Sequence, residues 1–427
     1  MPNSNKEGLS ASALRKSIAA SVIGNGLEWY DFLLYGFFAP IIANVFFPSD
    51  NRLLSFMLTA ATFAISFFVR PLGGVALGVY ADRFGRRPVL SAMILIMGFS
   101  AVLIGLTPSY ASIGILAPIL IILARVMQGI SVGAEFASAT AMLIESAPRN
   151  RKMLTGSYQM CSQAIAVALA SLSGYLLSTL LSPQALHEWG WRVPFLLGGI
   201  IAPVGFYIRR FAPESPEFMA STGLRSPMVD MLSRHRKAGI RGLGILIPGV
   251  VSNYVWYIFL PVFITARLKL PFTSVMLSTF ICGLTLFILI PMIGQWADRW
   301  DGRRIWKWGT ICFALLAYPF LHYVMAAPSF GRLLVVQLVC IVPIAAIWAP
   351  SPTLLAEVFP TSIRSTGMSI AYNSVVLLFG GLAPLTLTWL IAQTESEMIP
   401  AYYVIGSTIL ALSAIWIAAP QASLASD

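Results

Sequence analysis

Charge is what this sequence has least of. Asp, Glu, Lys and Arg make up 11% of its 427 residues, whereas a soluble chain carries about 25%. So little polar material cannot clad a core of this size, and lipid must be the solvent for most of the chain. Cysteine and histidine are scarce too. Cys161, Cys282, Cys312 and Cys340 stand singly in apolar runs, without metal-ligand spacing or a disulfide framework. All four are expected to pack as small buried hydrophobes. His187, His235 and His322 lie in loops or near the ends of apolar runs, so no metal site is expected. The chain shows no alternation of the barrel kind and no Walker-type phosphate loop. It also lacks a grouped nucleophile, base and orienting residue. ATP-driven pumping and enzyme catalysis are therefore set aside, and no cofactor is expected. The polar opening MPNSNKEGLSASALRKS has no short apolar core with a cleavage site, so no signal peptide is read there.

Apolar residues are abundant, at 57%. Runs of at least about 18 apolar residues mark membrane helices. Twelve occur, at 17–46, 52–80, 88–107, 113–145, 153–181, 191–211, 240–266, 273–298, 304–326, 330–357, 365–393 and 399–419. The expected fold is an all-α integral membrane protein with twelve transmembrane helices. With the N-terminus inside, 21 of the 28 Lys and Arg fall on the cytoplasmic side. That is the positive-inside pattern. It accounts for the net charge of +11 without nucleic acid and places both termini in the cytoplasm. The polar connection at 212–239 divides a first bundle at 17–211 from a second at 240–419. Short cytoplasmic tails at 1–16 and 420–427 complete the chain.

The halves repeat. GVYADRFGRR at 78–87 is echoed by GQWADRWDGRR at 294–304, and ESAPRNR at 145–151 by EVFPTSIR at 357–364. Two echoes at equivalent places make a duplicated six-helix bundle. The Gly78, Asp82, Arg83, Gly85, Arg86, Arg87 loop and its second copy resemble the signature of the major facilitator superfamily. RVMQG at 125–129 is similar to that superfamily's fourth-span motif. More narrowly, GNGLEWYDFLLYG (24–36), VRPLGG (69–74), RVMQGISVGAE (125–135), EWGWRVPF (188–195) and PESPEF (213–218) together resemble the metabolite:proton symporter family. The resemblance implies two pseudo-symmetric bundles in a bacterial cytoplasmic membrane. It also implies a substrate among citrate and other tricarboxylates, 2-oxoglutarate, shikimate, or proline and betaine.

Two acids interrupt the first span. At 1.5 Å per residue, Glu28 lies about 18 Å and Asp31 about 22 Å beyond Lys16, deep in an apolar layer about 30 Å thick. Three positions apart, they share a helix face. A charged acid at that depth costs about 2.5–3.5 kcal/mol on insertion scales. Each must pair with a cation beside a watered cavity, or take up a proton because burial disfavours the ionised form. An ion pair that only locks helices together is the other reading. In the fourth span Arg125, Gln128 and Val132 share a face that Glu135 continues. Arg125 cannot shed its charge, so it needs Asp31, Glu28 or a substrate carboxylate as partner. Protonating the acid would free the arginine for the anion. The family resemblance also places Arg125 in proton coupling.

Arg70 in the second span either faces the cavity or snorkels toward the cytoplasm. The other candidate substrate ligands are Asn25, Tyr30, Gln128, Gln159 and Gln163 from the first half, and Asn253, Tyr257, Tyr372 and Asn373 from the second. Aromatic residues in such spans also serve as packing. The repeated loops, with Asp298, Arg299, Arg303 and Arg304 in the second copy, are expected to act as gate latches, with Glu145 and Glu357 as partners.

The expected function is proton-gradient-driven import of a small anionic or zwitterionic organic solute by a monomer, with di- or tricarboxylates such as citrate or 2-oxoglutarate in front. Shikimate-like acids and betaines stand behind, then drug efflux by the same fold. A receptor would need a signalling module that these short tails do not supply. Sodium stays open as the driving ion, although no cation cage is visible.

Overall fold

In the computed structural model, residues 11–84, 86–133, 135–145, 147–148, 150–210, 235–360 and 363–418 are described. The side chains of 11–21, 75–84, 86–91, 135, 138, 201, 204–205 and 207–210 lie outside that description. The described residues are mostly helical, joined by short turns and loops, with no strand among them. Most of the 212–239 connection falls outside the described residues, and the second bundle's first helix begins at Arg236.

The twelve spans come in two sets of six. The first is Ala11–Phe37, continued by Ala39–Phe46 at a 66° bend. Pro40, at the start of the second piece, has no N–H to give to the preceding turn, and the helix breaks there. The second and third are Arg52–Phe84 and Arg86–Leu106. The fourth is Leu116–Val132 with Glu135–Glu145, the fifth Lys152–Leu180 and the sixth Arg192–Arg210. The second set is Arg236–Arg267, Phe272–Arg299, Gly302–Ala326, Phe330–Val358, Arg364–Thr394 and Ile399–Ile417. Proline also marks the break in the tenth span, between Trp348 and Ser351. The seventh and eleventh widen into π-helical turns at Ser252–Phe259 and Val376–Gly381.

Small residues set the spacing between helices. A Cβ on Gly129 would lie 2.3 Å from Ser66 O, and one on Gly133 2.2 Å from Arg70 O. The second and fourth spans therefore meet backbone to backbone, as small residues four apart allow. Ser66 Oγ donates to Arg125 O at 2.8 Å across the same contact. Between the halves, the fifth span packs along the eighth, close enough that a Cβ on Gly283 would lie 2.7 Å from Ala168 N. The ends of the fourth and eighth spans meet the starts of the eleventh and fifth at one end of the molecule, the basic rim.

Three cysteines are buried as expected, but Cys312 is exposed on the outer face of the ninth span.

Candidate functional site

The charged centre lies inside the first half. Glu28, Asp31, Arg70 and Arg125 are all at most 5% exposed. Glu28 pairs with Arg70, with Oε1 and Nη2 3.7 Å apart. Arg70 therefore does not snorkel. Its guanidinium lies over the rings of Phe32 and Phe67, at 4.7 and 4.6 Å. None of its three nitrogens has a hydrogen-bond partner among the described residues.

Arg125 is held differently. Its Nη1 donates to Gln128 Oε1 at 2.7 Å and its Nη2 to Phe63 O at 3.3 Å. Its Cζ sits 4.4 Å from the centre of the Tyr35 ring. The close backbone contact of the second and fourth spans is what places the two arginines near one another. No acid pairs with Arg125 among the described residues, although Asp31 feels its charge.

Asp31 turns away from the second half. Its carboxylate reaches toward the sixth span, where a Cβ on Gly198 would lie 2.5 Å from Oδ1. That oxygen has no hydrogen-bond partner among the described residues. Glu28 and Asp31 line a cavity of about 20 Å³ with Met93, Met97, Ser131 and Ala202. A water needs roughly 10–15 Å³ of such space, so the cavity has room for one or two. The expectation of acids on a watered gap between the halves is corrected here. They occupy a small chamber within the first half, because the first span turns this face toward the third and sixth spans.

Between the halves lies a second cavity, of about 30 Å³, whose lining includes Trp29, Phe136, Met160, Gln163, Asn253 and Tyr372. Asn253 Nδ2 donates across it to Gln163 Oε1 at 3.2 Å. On one side the Tyr254 ring wedges among Trp29, Phe63 and Phe67, at 5.8, 6.3 and 5.5 Å. On the other, Phe136 and Tyr372 stack at 3.8 Å. At this volume the cavity is too small for a carboxylate metabolite and must widen to admit one.

Of the expected ligands, Gln163, Asn253 and Tyr372 come together at this cavity. Others are placed elsewhere. Asn25 donates to Ser162, and Tyr30 bonds with Ser173 at 3.0 Å, both toward the fifth span. Tyr257 packs on Trp348 inside the second half. Asn373 donates to Gly133 O at 2.9 Å, and Gln159 is buried with both amide atoms unpartnered among the described residues. Tyr254 lines the cavity as well, and Trp29 was missed as a cavity residue, since a tryptophan in an apolar run reads first as packing.

At the basic rim the latches differ from expectation. Asp298 accepts from the N–H groups of Met153 and Leu154, at 2.8 and 3.0 Å, and so caps the fifth span from the other half. Glu145 pairs with Arg364 across the halves. Arg303 pairs with Glu357 at 3.6 Å, but within its own half. Arg304 pairs locally with Asp301 at 3.4 Å, and Arg299 has no ion pair among the described residues. Gly85 lies outside the described residues. Gly78, Asp82, Arg83, Arg86, Arg87 and Glu135 have side chains outside the description.

Comparison with known proteins follows the same lines. A family model described as "Sugar (and other) transporter" matches residues 16–239, and the "Major Facilitator Superfamily" model matches 242–424. The chain is 34% identical over 394 residues to a citrate-proton symporter of Klebsiella pneumoniae, covering 92% of this chain and 88% of that protein. It is 33% identical over 422 residues to a putative proline/betaine transporter of Staphylococcus aureus, covering 95% and 89%. In fold it resembles the proton:xylose symporter XylE bound to 6-bromo-6-deoxy-D-glucose, with a TM-score of 0.78 at 17% identity, covering 96% of each chain. A partially occluded inward open conformation of XylE from E. coli gives a TM-score of 0.75 at 17% identity, covering 98% of this chain and all of that one.

Proposed function

The chain belongs to the major facilitator superfamily, and on that premise we propose that it is a proton-coupled symporter of a small carboxylate metabolite. The observation that carries this reading is the pair of sealed guanidiniums beside two sealed acids. Arg70 and Arg125 bring two positive charges, and Glu28 and Asp31 bring two negative charges when both are ionised. The set is then neutral and has no call for an anion. One proton on either acid leaves a net positive charge in a medium that screens poorly, and an incoming carboxylate restores neutrality. Arg70 suits that role, because its planar fork has donors to spare for bidentate binding of a carboxylate.

Asp31, with no ion pair among the described residues, is the proton acceptor in this scheme. Glu28 holds Arg70 until the substrate takes it. Transport requires the first half to open toward the central cavity, where Gln163, Asn253 and Tyr372 read the rest of the solute. Alternating access comes from rocking the two halves around that site.

Di- and tricarboxylates lead the substrate list, because a proton on each acid would leave both arginines uncompensated, enough to balance two carboxylates. The citrate-proton relatives support this order. Proline and betaine stand as the second reading, supported by the betaine-transporter relatives. Basic loops facing the cytoplasm of a bacterial inner membrane fit the positive-inside pattern.

The test is uptake by the purified protein in liposomes under an inward proton gradient, across citrate, 2-oxoglutarate, shikimate, proline and betaine. Uphill accumulation of a carboxylate, abolished by a protonophore, is expected. Accumulation indifferent to the protonophore, or of the zwitterions alone, would reject the reading.

A further inference from the structure

A wide recess lies away from the cavity between the halves. It is a groove of about 1200 Å³ on the outer face of the second half, walled by the eighth, ninth and tenth spans. We infer that this groove binds one anionic phospholipid of the leaflet bordering the basic rim.

Its shape suits an acyl chain. The ninth and tenth spans touch at its floor, where a Cβ on Gly309 would lie 2.8 Å from Ala346 Cβ and 2.9 Å from Pro343 O. The groove is closed behind and open toward lipid, with Val339 and Val342 exposed on its tenth-span wall. From Arg304 at its mouth to Leu316 at its far end is twelve residues of helix. That is about 18 Å, a little more than half of a hydrocarbon layer about 30 Å thick.

Its mouth suits a phosphate. Arg299 and Arg304 line it with one acid, Asp301, beside Trp296, Trp300 and Trp308, residues 66%, 78% and 62% exposed. Exposed tryptophans mark the level of the lipid headgroups. The nearby acids are already engaged. Asp298 caps the fifth span, Glu357 holds Arg303, and Asp301 holds Arg304 and the Arg303 N–H. Exposed Arg299, with exposed Lys307 close by in sequence, is left to meet a negative headgroup. An annulus of neutral lipid would need the groove but not the cations.

Native mass spectrometry of the full chain in detergent tests this, with phosphatidylglycerol and phosphatidylcholine of identical acyl chains as probes. One phosphatidylglycerol is expected to be retained under activation that strips phosphatidylcholine. The exposed double variant Arg299→Gln/Arg304→Gln should lose that preference, with retention falling roughly tenfold. Val342→Trp keeps both cations but fills the groove from its lipid side, and should release the lipid as well. Equal retention of the two lipids, or unchanged phosphatidylglycerol in both variants, would overturn the inference. So would a dimer that Val342→Trp converts to monomer without altering lipid retention, since the groove would then seat a second copy.

Discussion

Glu28 and Asp31 lie one turn apart on a single helix, yet their surroundings divide them. Glu28 has Arg70, and breaking one side of a buried pair costs about 3–5 kcal/mol, because it strands a buried charge. Arg70→Gln should therefore lower the thermal midpoint in detergent sharply, while Glu28→Gln/Arg70→Gln should recover much of the loss. A double variant no more stable than Arg70→Gln would show that the pair is not the structural unit. Asp31 depends instead on the absence of a side chain at Gly198. Gly198→Ala is expected to push the carboxylate aside and cut proton-driven uptake at least about tenfold, a change of about 1.4 kcal/mol in the barrier, without loss of folded protein. Wild-type uptake in that variant would mean that the chamber tolerates the methyl group.

The depth of both acids was legible from counting residues along a helix, and the need of Arg125 for an anion from its fixed charge. Their partners were not. Which cation meets which acid depends on how neighbouring helices are rotated, and one sequence does not record that. Gly198 was illegible for the same reason, as one of 33 glycines whose importance comes from a neighbour on another span.

At the scale of elements, two cross-half contacts join the halves at the basic rim. Asp298 caps the fifth span from the eighth, and Arg364 at the start of the eleventh reaches Glu145 at the end of the fourth. A lost cap costs about 1 kcal/mol, enough to shift a finely balanced closure several-fold. Asp298→Ala/Arg364→Gln should speed labelling of a Met160→Cys reporter by a membrane-impermeant thiol reagent applied from the basic-rim side. The reporter belongs in a chain with its four native cysteines replaced. Unchanged labelling would show that these contacts do not gate the cavity. The repeats at 294–304 and 357–364 pointed to this rim, because equal spacing in both halves demands a shared structural cause. They did not reveal that Asp298 works through backbone N–H groups. Acids beside arginines read first as ion pairs. The π-helical turns of the seventh and eleventh spans carried no sequence signal that was read, although they bring Asn253 and Tyr254 to the gap. Such turns recur at functional sites.

For the whole molecule the proposed coupling rests on charge conservation. In the proposed scheme a buried set of two cations and two acids accepts an anion only together with a proton, and the small cavity between the halves must expand around the substrate. The twelve-span duplicated fold was legible because lipid imposes long apolar runs, and gene-scale repetition leaves matching loops. The state of the cavity was not, since the same sequence must occupy several states in turn. Proton flux tests the account most directly. In weakly buffered liposomes containing a pH-sensitive dye and no imposed pH gradient, an inward citrate gradient should acidify the lumen for the wild type. Asp31→Asn should abolish that acidification while still exchanging labelled for unlabelled citrate. Citrate entry by the wild type without proton movement, or undiminished acidification with Asp31→Asn, would contradict the central claim.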